Sequence, residues 1–131
     1  MPDPCFLNLS NHPVGHWSSA QVESALALGY GPVREPPEAM PQVDPTASTA
    51  QIETIAEALA ERAVQAGARA AFVATDFTLT VALVRALQRR GVATYSTTAR
   101  REAREEVGGD GRVEKRSVFS FCAWRAYPQI G

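Results

Sequence analysis

The segment Ala70-Ala71-Phe72-Val73-Ala74-Thr75-Asp76-Phe77-Thr78-Leu79-Thr80 constrains the fold of this chain more than any other. An uncharged apolar run of this length reads as a buried strand, and it breaks into a hydroxyl-rich turn that opens a helical pattern closing at Gly91. Strand, polar turn and helix in that order are the unit of a parallel α/β sheet. In such sheets ligands bind beyond the carboxyl ends of the strands, where helix amides face an anion. Thr75 to Thr80 is therefore expected to form one wall of a site.

The rest of the chain extends the alternation. Phe6-Leu7-Asn8-Leu9-Ser10 is expected as a first strand leaving through Ser10-Asn11-His12-Pro13. Ser18 with Gln21 reads as a capping box ahead of a helix whose apolar stripe is Val22, Ala25, Leu26 and Gly29. Pro32 to Glu35 suits a short edge strand, because proline cannot donate to a ladder. The four prolines from Pro36 to Pro45 make a stiff connection placed to fold over the ligand end. Ser48 and Gln51 repeat the capping signal, and Ile52, Ile55, Ala56, Leu59 and Ala63 follow at helical spacing as far as Gly67.

After the central unit, Val92 to Ser96 reads as a strand that exits into Thr97, Thr98, Arg100 and Arg101, and Ser96 to Thr98 reads alternatively as a strand end continuing into a hairpin. Gly108-Gly109-Asp110-Gly111 then suits a turn closing an antiparallel hairpin. Its return limb, Val113 to Tyr127, places Phe119, Phe121 and Ala123 on one face and Val118, Ser120, Cys122 and Trp124 on the other. Apolar residues on both faces suit a strand covered on both sides, or one with a face in a subunit contact. The expected fold is α/β: a single Rossmann-like, doubly wound sheet, mostly parallel, with a C-terminal antiparallel hairpin strand. It forms one domain over residues 1–131, with strand order 2-1-3-4-5. That order puts the crevice between the loops after Ser10 and Ala74, with the loop after Ser96 on its other side.

Composition narrows the function classes. No run approaches the roughly 18 apolar residues of a membrane span and no basic leader precedes an apolar stretch, so a cytoplasmic protein without a membrane partner is expected. Cys5 and Cys122 sit beside or inside strand-like runs and read as reduced core thiols. Residues 1–84 carry three basic and nine acidic groups, and residues 85–131 carry ten and five, so −6 meets +5. Twelve of the 13 cations are arginine, whose planar fork suits phosphate. The basic half thus reads either as a face toward a polyanion or as solvated helix and hairpin surface.

Three strand exits deliver Ser10, Asn11 and His12, then Thr75, Asp76, Thr78 and Thr80, then Ser96, Thr97, Thr98 and Arg100 to one end of the sheet. Small hydroxyl donors with an arginine suit phosphate and ribose. No glycine-rich phosphate loop is present, which argues against ordinary NAD and NTP enzymes. Asp76 would repel a phosphate, so ribose or an adenine amino group is its better partner; it and Thr78 read equally as helix caps. His12 and His16 are the only histidines, the side chain best poised for proton transfer near neutral pH. No nucleophile stands at a recognisable spacing from a base, and no carboxylate cluster suits a metal. A reaction without cofactor or metal is favoured, such as cleavage of an RNA linkage by its own 2′-hydroxyl, in which the protein holds the substrate in line and stabilises charge.

These residues resemble a family. Asn8-Leu9-Ser10-Asn11-His12-Pro13 with Trp17, Ala74-Thr75-Asp76-Phe77-Thr78, Tyr95-Ser96-Thr97-Thr98 with Arg100, and Val118-Phe119-Ser120-Phe121 with Arg125 and Tyr127 look like the small single-domain CRISPR-associated proteins of Rossmann-like, CARF-related fold. The resemblance implies a homodimer around a cyclic oligoadenylate, tetra- or hexa-adenylate, and a metal-independent ring nuclease leaving 2′,3′-cyclic phosphate products. Duplex nucleic acid is not an expected partner. Ser10, Asn11, His12 and Arg100 are the candidate catalytic residues; Thr75, Asp76, Phe77, Thr78, Ser96, Thr97 and Thr98 are the candidate ligand contacts. The middle segment has Phe77 and Thr78 where some relatives are glycine-rich. The rival expectations are a non-catalytic sensor or sponge using the same pocket, and an α/β interaction protein whose basic hairpin contacts a partner.

Overall fold

The computed structural model describes residues 2–131. Its strands are β1 (Cys5–Ser10), β2 (Val33–Arg34), β3 (Ala68–Ala74), β4 (Ala93–Val107) and β5 (Val113–Ala126). Its helices are α1 (Ser19–Ala27), α2 (Thr49–Gln65) and α3 (Phe77–Arg89), with a 3-10 turn at Val14–His16. The strands form one five-stranded sheet in the order β2-β1-β3-β4-β5. All pairings are parallel except β4 with β5. This is the expected strand order, with a C-terminal antiparallel strand on a mostly parallel sheet.

Two apolar layers follow from the period-two alternation of the strands. Cys5, Leu7, Leu9, Ala71 and Val73 point to one face, where Ile52, Ala56, Ala60 and Ala63 of α2 and Leu79, Leu83 and Leu87 of α3 cover them. Phe6, Ala70 and Phe72 point to the other, where Ala25 of α1 joins Trp17, Tyr30, Tyr95 and Trp124. The second layer is mainly aromatic: Trp17 meets Phe72 and Trp124 at ring centroids of 5.7 and 5.4 Å, and Trp124 meets Phe6 at 5.0 Å. Of the stripe expected on α1 only Ala25 is buried, and Leu26 is 49% exposed, because the aromatic rings occupy the space a longer helix would fill.

Local signals act where the sequence places them. Ser48 Oγ accepts the Gln51 amide at 3.2 Å while Gln51 Oε1 accepts the Ser48 amide at 2.8 Å, a full capping box at the start of α2. At Ser18 the bond formed is the single one from the Gln21 amide to Ser18 Oγ. Gly67 has φ +89°, and an added Cβ would strike the Asp3 carbonyl, so this turn into β3 accepts glycine alone.

The structure corrects three expectations about the C-terminal part. First, β4 does not end near Ser96; it runs on to Val107, so Ser96, Thr97, Thr98 and Arg100 lie inside a strand and not in an exit loop. Second, β5 is an edge strand with most residues exposed, not a strand covered on both sides. Third, the pairing jumps from Thr98↔Ala123 to Ala99↔Phe121, making Cys122 the extra residue of a bulge. The bulge shifts the alternation, so Phe121 turns toward Trp124, 5.7 Å away, and does not share a face with Ala123. It also leaves Cys122 exposed, whereas Cys5 is a buried free thiol whose pKa burial pushes up.

Candidate functional site

At the carboxyl ends of the parallel strands, Ser10 pairs with Ala74, so the β1 and β3 exits are neighbours about 5 Å apart. The β3–β4 ladder stops earlier, at Phe72↔Tyr95, and beyond it β4 pairs with β5 alone. The Tyr127 hydroxyl donates to the Val73 carbonyl at 2.6 Å, satisfying an acceptor that the ladder leaves open. A notch therefore opens between the β3 exit and the row Ser96 to Arg100.

The β1 exit is built from within. Asn8, 1% exposed, donates through Nδ2 to the His12 carbonyl and to Glu35 Oε1, both at 2.8 Å. Ser10 Oγ donates to Asn8 Oδ1 at 2.6 Å and accepts the His12 amide at 3.1 Å. Glu35 Oε1 also takes the Val14 amide at 3.1 Å, and Trp17 Nε1 donates to the His12 carbonyl at 2.9 Å. Ser10 is buried and engaged, so it shapes the loop, while Asn11 and His12 are presented to solvent. The cavity beside this exit holds about 280 Å³ and lies toward the proline-rich loop, lined by Ser10, Asn11, Glu35 and Met40. That loop does fold against the ligand end, on the β2 side of β1 and not between β1 and β3.

The β3 exit is equally self-satisfied. Asp76 caps α3, its carboxylate accepting the Leu79 amide and the Thr78 hydroxyl, both at 2.9 Å. The backbone bond from Leu79 first, and the Thr78 bonds, hold its pKa below the usual aspartate value. Thr75 and Thr80 hydroxyls bond each other at 2.8 Å, and Phe77 is 92% exposed. The positive end of α3, about half a unit charge, is thus already met by a carboxylate, which disfavours a phosphate there. Asp76→Ala should lower stability near neutral pH by about 1 kcal/mol, read by urea denaturation. Because the folded pKa is lowered, the cap stabilises above the ordinary aspartate pKa and is lost as pH falls through the lowered one. The gap between wild type and variant should therefore close in acid.

Strand alternation divides the third group. Ser96, Thr98 and Arg100 follow Thr94, which bonds Gln88 of α3, and so lie on the α3 face; Thr97 follows Tyr95 onto the aromatic face. Thr98 Oγ1 donates to the Ala123 carbonyl at 3.3 Å, and Arg100 is exposed with no ion-pair partner among the described residues. The cations expected to form a basic face are largely offset: Arg104 pairs with Glu102 at 3.7 Å, Arg116 with Glu106 at 3.6 Å and Arg112 with Asp110 at 3.8 Å. Exposed pairs of this kind add little stability.

The candidate residues left exposed along this edge are therefore Asn11 and His12 past β1 and Arg100 on β4, whereas Thr97 is half-buried on the aromatic face and Phe77 lines the cavity between α2 and α3. Sequence reasoning did not single out Glu35 or Trp124. The available signal was a lone amide, Asn8, inside an apolar strand, since a buried Asn must find partners. Among the described residues, no group of three or more His, Cys, Asp or Glu side chains is arranged to hold a metal ion, and no helix is long and apolar enough to cross a membrane.

The chain is thus an α/β protein with a five-stranded, mostly parallel sheet whose β1 and β3 exits carry polar residues at the carboxyl edge. Residues 4–125 match the model of the family described as Uncharacterized protein MJ1673 family, and the chain belongs to that family. No curated protein and no solved structure matches it.

Proposed function

We propose that this sheet is a Rossmann-like, CARF-related domain and that the protein is a dimeric, metal-independent ring nuclease of cyclic oligoadenylate acting in the cytoplasm. The observation that carries the reading is the notch. Past the point where β4 leaves β3, Arg100 is exposed on β4 while Asn11 and His12 are exposed past β1 along the same carboxyl edge, and a two-fold copy would present the same groups to the other half of a ring. In this reading His12 handles the 2′-hydroxyl proton, Arg100 and Asn11 bind the scissile phosphate, and Thr97 with Phe77 contacts ribose or base. The internal bonds of Ser10, Thr75, Asp76 and Thr78 give them the role of holding the loops. Those same bonds favour a second reading, a sensor or sponge that binds the ring without turnover, because they reduce the groups available for chemistry.

Incubation of the purified protein with labelled cyclic tetra- and hexa-adenylate in EDTA separates the readings. Linear product ending in 2′,3′-cyclic phosphate supports the nuclease, tight binding without product supports the sensor, and absence of binding to both rings overturns both. Arg100→Ala should weaken ring binding about tenfold, the worth of one charge-assisted hydrogen bond, measured by titration of the same labelled rings. Unchanged affinity and turnover would remove Arg100 from the site.

A further inference from the structure

Beyond Thr98, β4 and β5 leave the body of the sheet and continue as a two-stranded arm, residues 99–107 against 113–121. Cross-strand pairs share a face. One face carries Ala99 with Phe121, Arg101 with Phe119, Ala103 with Ser117, Glu105 with Lys115, and Val107 with Val113. The other carries Arg100 with Ser120, Glu102 with Val118, Arg104 with Arg116, and Glu106 with Glu114. Phe119 is 69%, Val107 73% and Val113 58% exposed, and through Phe121 and Trp124 this apolar face is continuous with the aromatic layer of the body. An isolated two-stranded ribbon is marginal in water. Nothing among the described residues covers this one.

We infer that the apolar face of the β4–β5 arm is covered by the same face of a second copy, the arms antiparallel about a two-fold axis passing at Ala103 and Ser117. The argument is complementarity. A two-fold axis in the plane between stacked ribbons lays β4 on the partner's β4 and β5 on the partner's β5. At the axis the small residues Ala103 and Ser117 meet their own copies, allowing close approach. One step out, Arg101 meets the partner subunit's Glu105, opposite charges, and Phe119 meets the partner subunit's Lys115, a cation over an aromatic ring. A further step out, Ala99 and Phe121 meet the partner subunit's Val107 and Val113, apolar on apolar. No other antiparallel centre on this face matches charge, size and hydrophobicity at all five levels. Within one arm, Arg101 already lies 6.0 Å from the Phe119 ring and bonds Ser117 at 2.9 Å, so its head group is held at the surface the partner meets.

The arm measures roughly 30 Å by 10 Å. With the partner's turn reaching past it onto the Trp124 cluster, the contact approaches the roughly 1,000 Å² at which specific association begins. The inference thereby gives the dimer of the proposed function its surface. It is tested without ligand, and failure of ring binding leaves it standing.

Sedimentation equilibrium of the full chain should give twice the chain mass of 14.1 kDa. Phe119→Lys, which sets a like charge against the partner subunit's Lys115, should raise the dimer dissociation constant about 100-fold, with circular dichroism unchanged because the side chain is exposed in the monomer. Glu105→Arg alone should also weaken the dimer, and adding Arg101→Glu to it should restore association by re-forming the pair with the signs exchanged. A wild-type monomer throughout the micromolar range, a dimer indifferent to Phe119→Lys, or a double variant no tighter than Glu105→Arg overturns the inference.

Discussion

Asn8→Ala is expected to destabilise the protein by about 3 kcal/mol and to disorganise the β1 exit, although Asn8 touches no ligand. The side chain is 1% exposed and is the hub of the exit: its amide nitrogen serves the His12 carbonyl and Glu35, and its oxygen receives Ser10. Truncation removes the acceptor of the buried Ser10 hydroxyl and the amide that ties His12 to Glu35; an unmet buried polar group costs roughly 1–3 kcal/mol, and the lost packing of a buried side chain adds to it. The midpoint of urea denaturation should fall at an unchanged slope, and ring affinity should fall with it because His12 loses its anchor. Asn8→Asp separates the causes. It keeps the shape but replaces a donor with a carboxylate beside Glu35, so one of the two acids is held protonated by repulsion, with a raised pKa. A raised folded pKa makes that variant relatively more stable in acid and progressively weaker as pH rises, which a stability profile from pH 4 to 8 reads directly. A variant whose deficit is flat with pH would mean that Glu35 is not the partner that matters.

Leu83→Ala is expected to cost about 3 kcal/mol, lowering the melting temperature by roughly 10 °C. Leu83 is 0% exposed and sits with Leu79 and Leu87 between α3, α2 and the sheet. Its removal opens a cavity in the layer that fixes where α3 starts, and hence where the β3 exit lies. Phe77→Ala on the same helix is the control. Phe77 is 92% exposed, so the larger truncation should change stability by no more than about 0.5 kcal/mol. If Phe77 lies at the rim of a ligand site, that variant keeps its stability and loses ring affinity. Differential scanning calorimetry on both variants, beside the ring titration, assigns one residue to the core and the other to the surface.

The fold was legible wherever a local rule sufficed. The apolar runs ending at Ser10 and Ala74, the Ser48–Gln51 capping box and the closing Gly91 locate β1, β3, α2 and α3, because burial on both sides and helix capping each write a short-range pattern. The strand order follows from alternation and the handedness of crossovers. The length of β4 was not legible. Residues 99–107 are charged and lack strand alternation; they are a strand because β5 supplies the ladder, and pairing across a hairpin overrides propensity. The same non-local cause hid the bulge at Cys122, whose insertion moves Phe121 to the other face.

The site divides in the same way. By itself the sequence determined the residue types that follow β1 and β3 at the carboxyl edge of the sheet, Ser10 and His12 and then the hydroxyls of Thr75 and Thr78, whereas Ser96, Thr97, Thr98 and Arg100, expected in a third exit, lie within β4. Residue order alone decides that in a parallel sheet. Only the tertiary structure decided which of them remain available. Ser10 is consumed by Asn8, Asp76 by its helix, and Thr75 by Thr80, while Asn11, His12 and Arg100 are left facing solvent. The reason is that a hydroxyl or carboxylate is recruited by the nearest unsatisfied amide or carbonyl. Asn8 and Glu35, 27 residues apart, became such neighbours only when β2 came to lie beside β1.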